Sequence, residues 1–165
     1  MKLKLLTIIV CILTVFSTFT LLSYANEDET IKYDVSKYDT TKVIELNVYN
    51  WGEYISDGFE GSMDTNAEFE KYFNEYLSEK YGGITVTVNY TTYANNEDMF
   101  AKLSSGAGGS YDIVVPSDYM IDRMIQNDML MELDYSNIPN FDLIDDRFKN
   151  LSYDPENKYT VPYAW

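Results

Sequence analysis

Tyr111-Asp112-Ile113-Val114-Val115-Pro116-Ser117-Asp118-Tyr119 is the stretch that decides the fold class. Tyr111 to Val115 is a compact, mostly apolar run, as expected of a strand buried inside a parallel sheet. Pro116 has no N–H to give to a ladder and ends it. Ser117 or Asp118 can then cap a helix carrying Met120, Ile121, Met124 and Ile125. Upstream, Ile84 to Tyr90 alternates and is rich in β-branched residues, which predicts a second strand. Between the two, Asn95 or Asn96 caps a short helix through Met99, Phe100 and Leu103 that Gly106, Gly108 and Gly109 break.

Closer to the N-terminus, Ile44, Leu46 and Val48 alternate with Glu45, Asn47 and Tyr49, a strand that delivers the polar-aromatic loop Asn50-Trp51-Gly52-Glu53-Tyr54. Phe69, Tyr72, Phe73, Tyr76, Leu77 and Tyr81 recur at helical spacing. They predict a helix from about Ala67 to Lys80, capped by Asp64, Thr65 or Asn66 and stopped by Gly82-Gly83. Tyr72, Phe73, Tyr76 and Tyr81 are assigned to the core. Strand and helix alternating three times indicate an α/β domain with a mainly parallel sheet flanked by helices. Such sheets bind ligands beyond the carboxyl ends of their strands, and the clusters after Tyr49 and after Val115 fall at that edge. From Met129 the pattern loosens, with a short edge strand expected at Leu130 to Leu133, a weak helix near Leu143 to Phe148 and a turn at Asp154 to Asn157. The chain stops on the aromatic run Tyr159 to Trp165, which is unusual for a natural terminus.

Residues 1–25 read as a signal peptide: Lys2 and Lys4 open it, Leu5 to Leu22 is apolar, and Ser23-Tyr24-Ala25 offers small residues for cleavage before Asn26. The apolar stretch is also long enough to stay as an anchor helix. Cys11 sits too early in that stretch, behind the bulky Val10, for lipid attachment. Residues 26–42 are polar and aperiodic, a flexible leader, and 43–165 form the folded body. The whole chain of 165 residues has 12 basic and 27 acidic residues and no histidine. Removing Lys2 and Lys4 leaves 10 basic residues against 27 acidic ones, a net charge of −17. Nucleic-acid partners are excluded by that sign, whereas small cations are attracted; plain solubility is the alternative reading of the charge. Without histidine, and with Cys11 in the signal segment, histidine- and cysteine-based catalysis and histidine- or thiolate-ligated zinc are excluded, while carboxylate chemistry and oxygen-ligated metals remain open. No cofactor or metal is implied. Asp142, Asp145 and Asp146 lack the spacing of a calcium loop and read as a solvated acidic face.

Asn47 to Ile55, Tyr111 to Tyr119 and Tyr159-Thr160-Val161-Pro162-Tyr163-Ala164-Trp165, in that order and at these spacings, closely resemble the spermidine/putrescine-binding protein family; Tyr93 to Leu103 is also similar. The resemblance covers Ile44 to Trp165. It implies the first lobe of a two-lobed periplasmic-binding-protein fold whose second lobe is missing from this sequence. It further implies an exported monomer, in the periplasmic space or on the outer face of the cell membrane, that passes spermidine or putrescine to the permease of an ABC transporter. Residue by residue, Trp51 resembles the indole packing on the ligand chain, Tyr54 and Tyr119 the phenols lining the cleft, and Ser117 the hydroxyl near a terminal amine. Gly52 stands where the family commonly has Thr or Ser, so that contact differs here. Glu53 and Asp118 are second-rank candidates for the charge.

The chemistry of the residues agrees with that implication. A polyamine needs aromatic faces for its methylenes and carboxylates or hydroxyls for its ammonium groups. Trp51, Tyr54 and Glu53 offer both, although any one of 16 tyrosines could equally be a core or surface aromatic. Three other readings remain: a solute-binding protein for another small ligand, a surface interaction protein, and a carboxylate-pair hydrolase. The last could use only Glu53 with Asp118 and has no visible oxyanion partner, so no enzyme activity is expected.

Overall fold

The computed structural model describes residues 43–164; residues 1–42, and with them the expected signal peptide and leader, lie outside the described residues, as does Trp165. Three strands, β1 (Val43–Trp51), β2 (Thr85–Tyr93) and β3 (Ile113–Val114), form one parallel sheet in the order β2-β1-β3. Three α-helices follow them in turn: α1 (Thr65–Tyr72), α2 (Asn96–Ser104) and α3 (Asp118–Gln126). Alternation along β1 divides its side chains between two cores, as the two-residue period of a strand requires. Leu46 and Val48 pack with Phe69 and Phe73 of the α1 region and with Ile84 and Val86. Tyr49 packs on the other face with Tyr93, Met99 and Leu103 of α2, and Met120 and Met124 of α3. Helices therefore cover both faces, the α/β architecture expected.

β3 is shorter than the run that predicts it, but flanking bonds extend it. Asp112 N–H donates to Asn47 O at 2.8 Å and Val115 N–H to Tyr49 O at 3.1 Å. The Asp112 carboxylate also accepts from Asn47, at 2.9 Å from the backbone N–H and 3.1 Å from Nδ2. Its strand residues are only half-buried, not enclosed on both sides as a parallel strand usually is.

The long first helix is where pattern and structure differ most. It begins at Thr65 rather than Ala67, with Asp64 as the cap accepting from Ala67 N–H. After Tyr72 it widens into a π turn over Phe73–Leu77, followed by a 3-10 turn at Glu79–Tyr81. The Gly82-Gly83 stop holds, with φ of 78° and 83° that favour glycine. Widening rotates Tyr76 off the core stripe: it is 67% exposed and its ring lies tilted beside that of the half-buried Tyr72, so neither is the core residue expected, whereas Phe73 is fully buried. The side chain of Tyr81 lies outside the described residues.

The π turn also sets Asn74 against the outer edge of β2. Asn74 Nδ2 donates to Val86 O at 3.0 Å, Val86 N–H donates to Asn74 Oδ1 at 2.8 Å, and Val88 N–H donates to Glu70. These side chains take the place of a neighbouring strand and blunt the edge. Asn74→Ala should cost about 1 to 2 kcal/mol in a urea melt, the net worth of two hydrogen bonds at a partly buried edge. An unchanged midpoint would mean that water serves the edge equally well.

Leu130 to Leu133 form no strand. Only Leu133 N–H reaches the facing segment, at Lys158 O, because the backbone amides of Lys158, Tyr159 and Thr160 are already taken by Asp154. The weak helix near Leu143 is a pair of 3-10 turns, Pro139–Leu143 and Asp146–Phe148. Its acids are engaged at the surface, Asp145 with Arg147 at 2.9 Å and Asp146 with Lys149 at 3.0 Å.

Candidate functional site

In this sheet the connection from β1 to β2 runs over one face, and the connection from β2 to β3 passes β1 over the other. The chain thus reverses direction between β1 and β3, and a crevice at their carboxyl ends is the general ligand position in such sheets. Both predicted clusters start there. Trp51 is the last residue of β1, not part of a free loop, and Ser117 opens α3 just past β3.

Trp51 is half-buried, its ring 4.9 Å from that of Tyr93 and 6.1 Å from that of Tyr54. Its N–H donates to Asn50 Oδ1 at 2.7 Å, which fixes the turn out of the strand. Gly52 is exposed, with no atom within 4 Å of where a Cβ would stand, so the hydroxyl absent here would have room. Glu53 takes a positive φ of 62°, a left-handed conformation uncommon for a residue with a side chain. Glu53, Tyr54, Ile55 and Ser56 line an open depression of about 530 Å³ together with Tyr163 and Ala164. The Tyr163 hydroxyl donates to the Tyr54 carbonyl, bringing the third motif onto the first.

The second cluster is held by α2. Ser117 is half-buried; its N–H donates to Asn96 Oδ1 at 3.4 Å, and its carbonyl accepts from Met120 and Ile121, both at 3.0 Å. It caps α3 by its backbone; its side chain makes no capping bond. Asp118 is exposed, and its Oδ1 accepts from Tyr119 N–H at 2.7 Å. Tyr119 is 54% exposed and its hydroxyl meets both Asn96 and Glu97. Tyr93 joins the two groups, its ring against Trp51 and its hydroxyl donating to Val115 O.

The charged side chains named at this edge, Glu53, Glu97 and Asp118, are all carboxylates. Burial raises the Tyr93 phenol well above its ordinary value, with Tyr49 nearby adding to it, and burial raises Tyr163 as well. Burial followed by the charge of Asp118 does the same to Tyr153. These phenols stay neutral and offer ring faces and hydroxyl groups. Helix N-termini carry about half a positive charge each, but Glu97 and Asp98 in the first turn of α2 and Asp118 in that of α3 counter it. The edge therefore suits an apolar chain with cationic ends.

Sequence reasoning missed Tyr93, Asn96, Glu97 and Tyr163 as parts of this edge. Tyr93 could have been found by carrying the second strand three residues past Tyr90, which brings it level with Trp51 and, by alternation, onto the opposite face from Tyr90.

The model of the bacterial extracellular solute-binding protein family matches residues 67–165. A spermidine/putrescine-binding periplasmic protein of Salmonella typhimurium is 37% identical over 120 residues, covering 73% of this chain and 30% of that protein. A putrescine-binding periplasmic protein of Escherichia coli is 32% identical over 122 residues, covering 73% and 28%. Among solved structures, a putative spermidine/putrescine ABC transporter protein from Listeria monocytogenes superposes with a TM-score of 0.58 at 39% identity, over 72% of this chain and 31% of that one. The spermidine/putrescine ABC transporter substrate-binding protein of Streptococcus pneumoniae gives 0.54 at 38% identity, over 73% and 32%. The chain thus spans about 30% of the length of the curated relatives it matches.

Proposed function

Because the chain belongs to the bacterial extracellular solute-binding protein family, we propose that it is the first-lobe portion of a polyamine receptor, binding spermidine or putrescine for uptake through the permease of an ABC transporter. What supports this reading is that the Trp51–Tyr54 pair and Tyr119 follow the carboxyl ends of β1 and β3, on the two sides of the point where the winding reverses, among acidic side chains. Trp51 covers the methylenes of the ligand, and Tyr54 and Tyr119 flank it. Glu53 and Asp118 supply negative charge, Ser117 receives an amine, and Gly52 leaves space beside the chain. The relatives are named as binding proteins rather than enzymes, in keeping with a site that holds its ligand without reacting with it.

Work as an exported monomer belongs to the same proposal. No helix among the described residues is long and apolar enough to cross a membrane. A single lobe encloses its ligand on one side only, so its cation–π contacts are worth about 0.5 to 1 kcal/mol rather than the 2 or more of a desolvated site.

Affinity should be weak in this chain and sensitive to salt. Titration with putrescine and spermidine, followed by amide NMR shifts, should give a dissociation constant that rises several-fold as ionic strength goes from about 0.01 M to 0.15 M, because screening shortens the reach of the carboxylates from about 30 Å to 8 Å. Shifts at Trp51 and Tyr119 that saturate equally at both salts would remove the ionic component. No shift with either amine would sink the polyamine reading in favour of another small ligand.

A further inference from the structure

Asn96, Glu97 and Tyr119 form a hydrogen-bonded chain between the first turns of α2 and α3. Asn96 is 2% exposed, so its amide must find partners within the protein. Its orientation is set by Ser117, whose N–H can only donate and therefore takes the Oδ1 end, at 3.4 Å. Nδ2 is left to donate to the Tyr119 hydroxyl at 2.9 Å. That hydroxyl gives its only proton to Glu97 Oε1 at 3.0 Å.

A phenol has one donor and two acceptor positions. With its proton committed to Glu97 and one acceptor position filled by Asn96, Tyr119 can offer a ligand only one remaining acceptor position. The neighbouring carboxylate polarises the O–H bond and makes that oxygen a better acceptor, since linked hydrogen bonds strengthen one another. Because the residue is 54% exposed, the hydroxyl lies within reach of an incoming group.

The geometry points to Asn96 and Glu97 as positioning residues that lock Tyr119 into an acceptor-only state, so that the site admits ligand ends rich in N–H donors and rejects ends that need a donor, such as carboxylates. This deepens the polyamine reading and rests on it. Glu97 acts through Tyr119 and not as a direct grip on the ammonium. Its specificity role is distinct from the general attraction exerted by the many surface acids.

Glu97→Gln separates these roles, because glutamine can still hydrogen-bond to Tyr119 but lacks the charge and can reverse the direction of the bond. In amide NMR titrations of the chain with putrescine, the variant should weaken binding about 3- to 10-fold, the range of one ordinary hydrogen bond, while the melting midpoint falls only by the small share that one first-turn charge contributes to α2. In a Tyr119→Phe background the same substitution should have no further effect. Succinate should shift neither protein. Equal weakening by Glu97→Gln with and without the Tyr119 hydroxyl would overturn the inference by making Glu97 a direct ligand. A silent Glu97→Gln, with putrescine still bound by the unaltered chain, would overturn it while leaving the polyamine reading intact. Failure of the unaltered chain to bind putrescine would overturn both.

Discussion

Asp154→Ala is expected to lower the unfolding free energy by about 3 kcal/mol, more than any single surface contact could account for. Asp154 is 3% exposed, and its carboxylate accepts four hydrogen bonds. Lys158 N–H reaches Oδ1 at 2.8 Å, while Tyr159 N–H, Thr160 N–H and the Thr160 hydroxyl reach Oδ2 at 2.9, 3.0 and 2.9 Å. Hydrogen bonds to a charged group contribute about 1.5 to 3 kcal/mol each, but bonds sharing one carboxylate do not add, and part of the loop can turn to water. Asp154→Asn retains one acceptor oxygen and should recover about half of the loss. Urea melts of both variants check this; a loss below about 1 kcal/mol for alanine would show that solvent replaces the carboxylate.

The consequence reaches the candidate site through the chain itself. Residues 158–160 lead directly into Pro162 and Tyr163, and the Tyr135 hydroxyl holds Thr160 O from the other side. Releasing Asp154's grip should therefore loosen Tyr163 from the Tyr54 carbonyl even where the sheet remains folded. Local amide exchange at Tyr159 and Thr160 should rise before global unfolding does.

Asp154 also marks where sequence reading stopped. Asp154-Pro155-Glu156-Asn157 shows a turn by its residue types, but nothing in the pattern says that the aspartate side chain will gather the three amides that follow the turn, those of Lys158, Tyr159 and Thr160. The same bonds explain why the apolar Leu130 to Leu133 run makes no ladder: the facing amides were spent. β1 and β2 were legible because alternation against a two-sided core leaves a periodic trace. The π turn left no such trace, since it goes with the bonding of Asn74 to the outer edge of β2, a contact between residues 12 positions apart. At the candidate site, Trp51 and Ser117 could be placed because each falls at the end of a strand run, Trp51 as the last residue of β1 and Ser117 as the opening of α3. Asn96 read only as a possible cap, because its partners Ser117 and Tyr119 become neighbours only when α2 and α3 pack together.

Trp51→Ala carries the largest expected effect on binding. The indole is half-buried and packs on Tyr93, so it belongs partly to the core and partly to the open edge. Truncating a fully buried Trp costs about 3 to 5 kcal/mol of stability, and a ring with one face in solvent should cost roughly half that. In a protein extended through a second lobe, where the ligand is enclosed, the mutation should also weaken polyamine binding by about 1 to 3 kcal/mol, from lost cation–π contact and lost apolar burial. That corresponds to roughly a tenfold to hundredfold rise in dissociation constant. The two losses are separable because they respond differently to Trp51→Phe, which restores much of the packing on Tyr93 but presents a smaller, weaker face to an ammonium. Stability recovered by Phe with affinity still reduced is the result expected, read from a denaturant melt and calorimetry with spermidine on the same samples. Affinity that simply follows stability through both variants would make Trp51 a structural residue. The burden of ligand recognition at this edge would then fall on Tyr54, Tyr119 and the carboxylates around them.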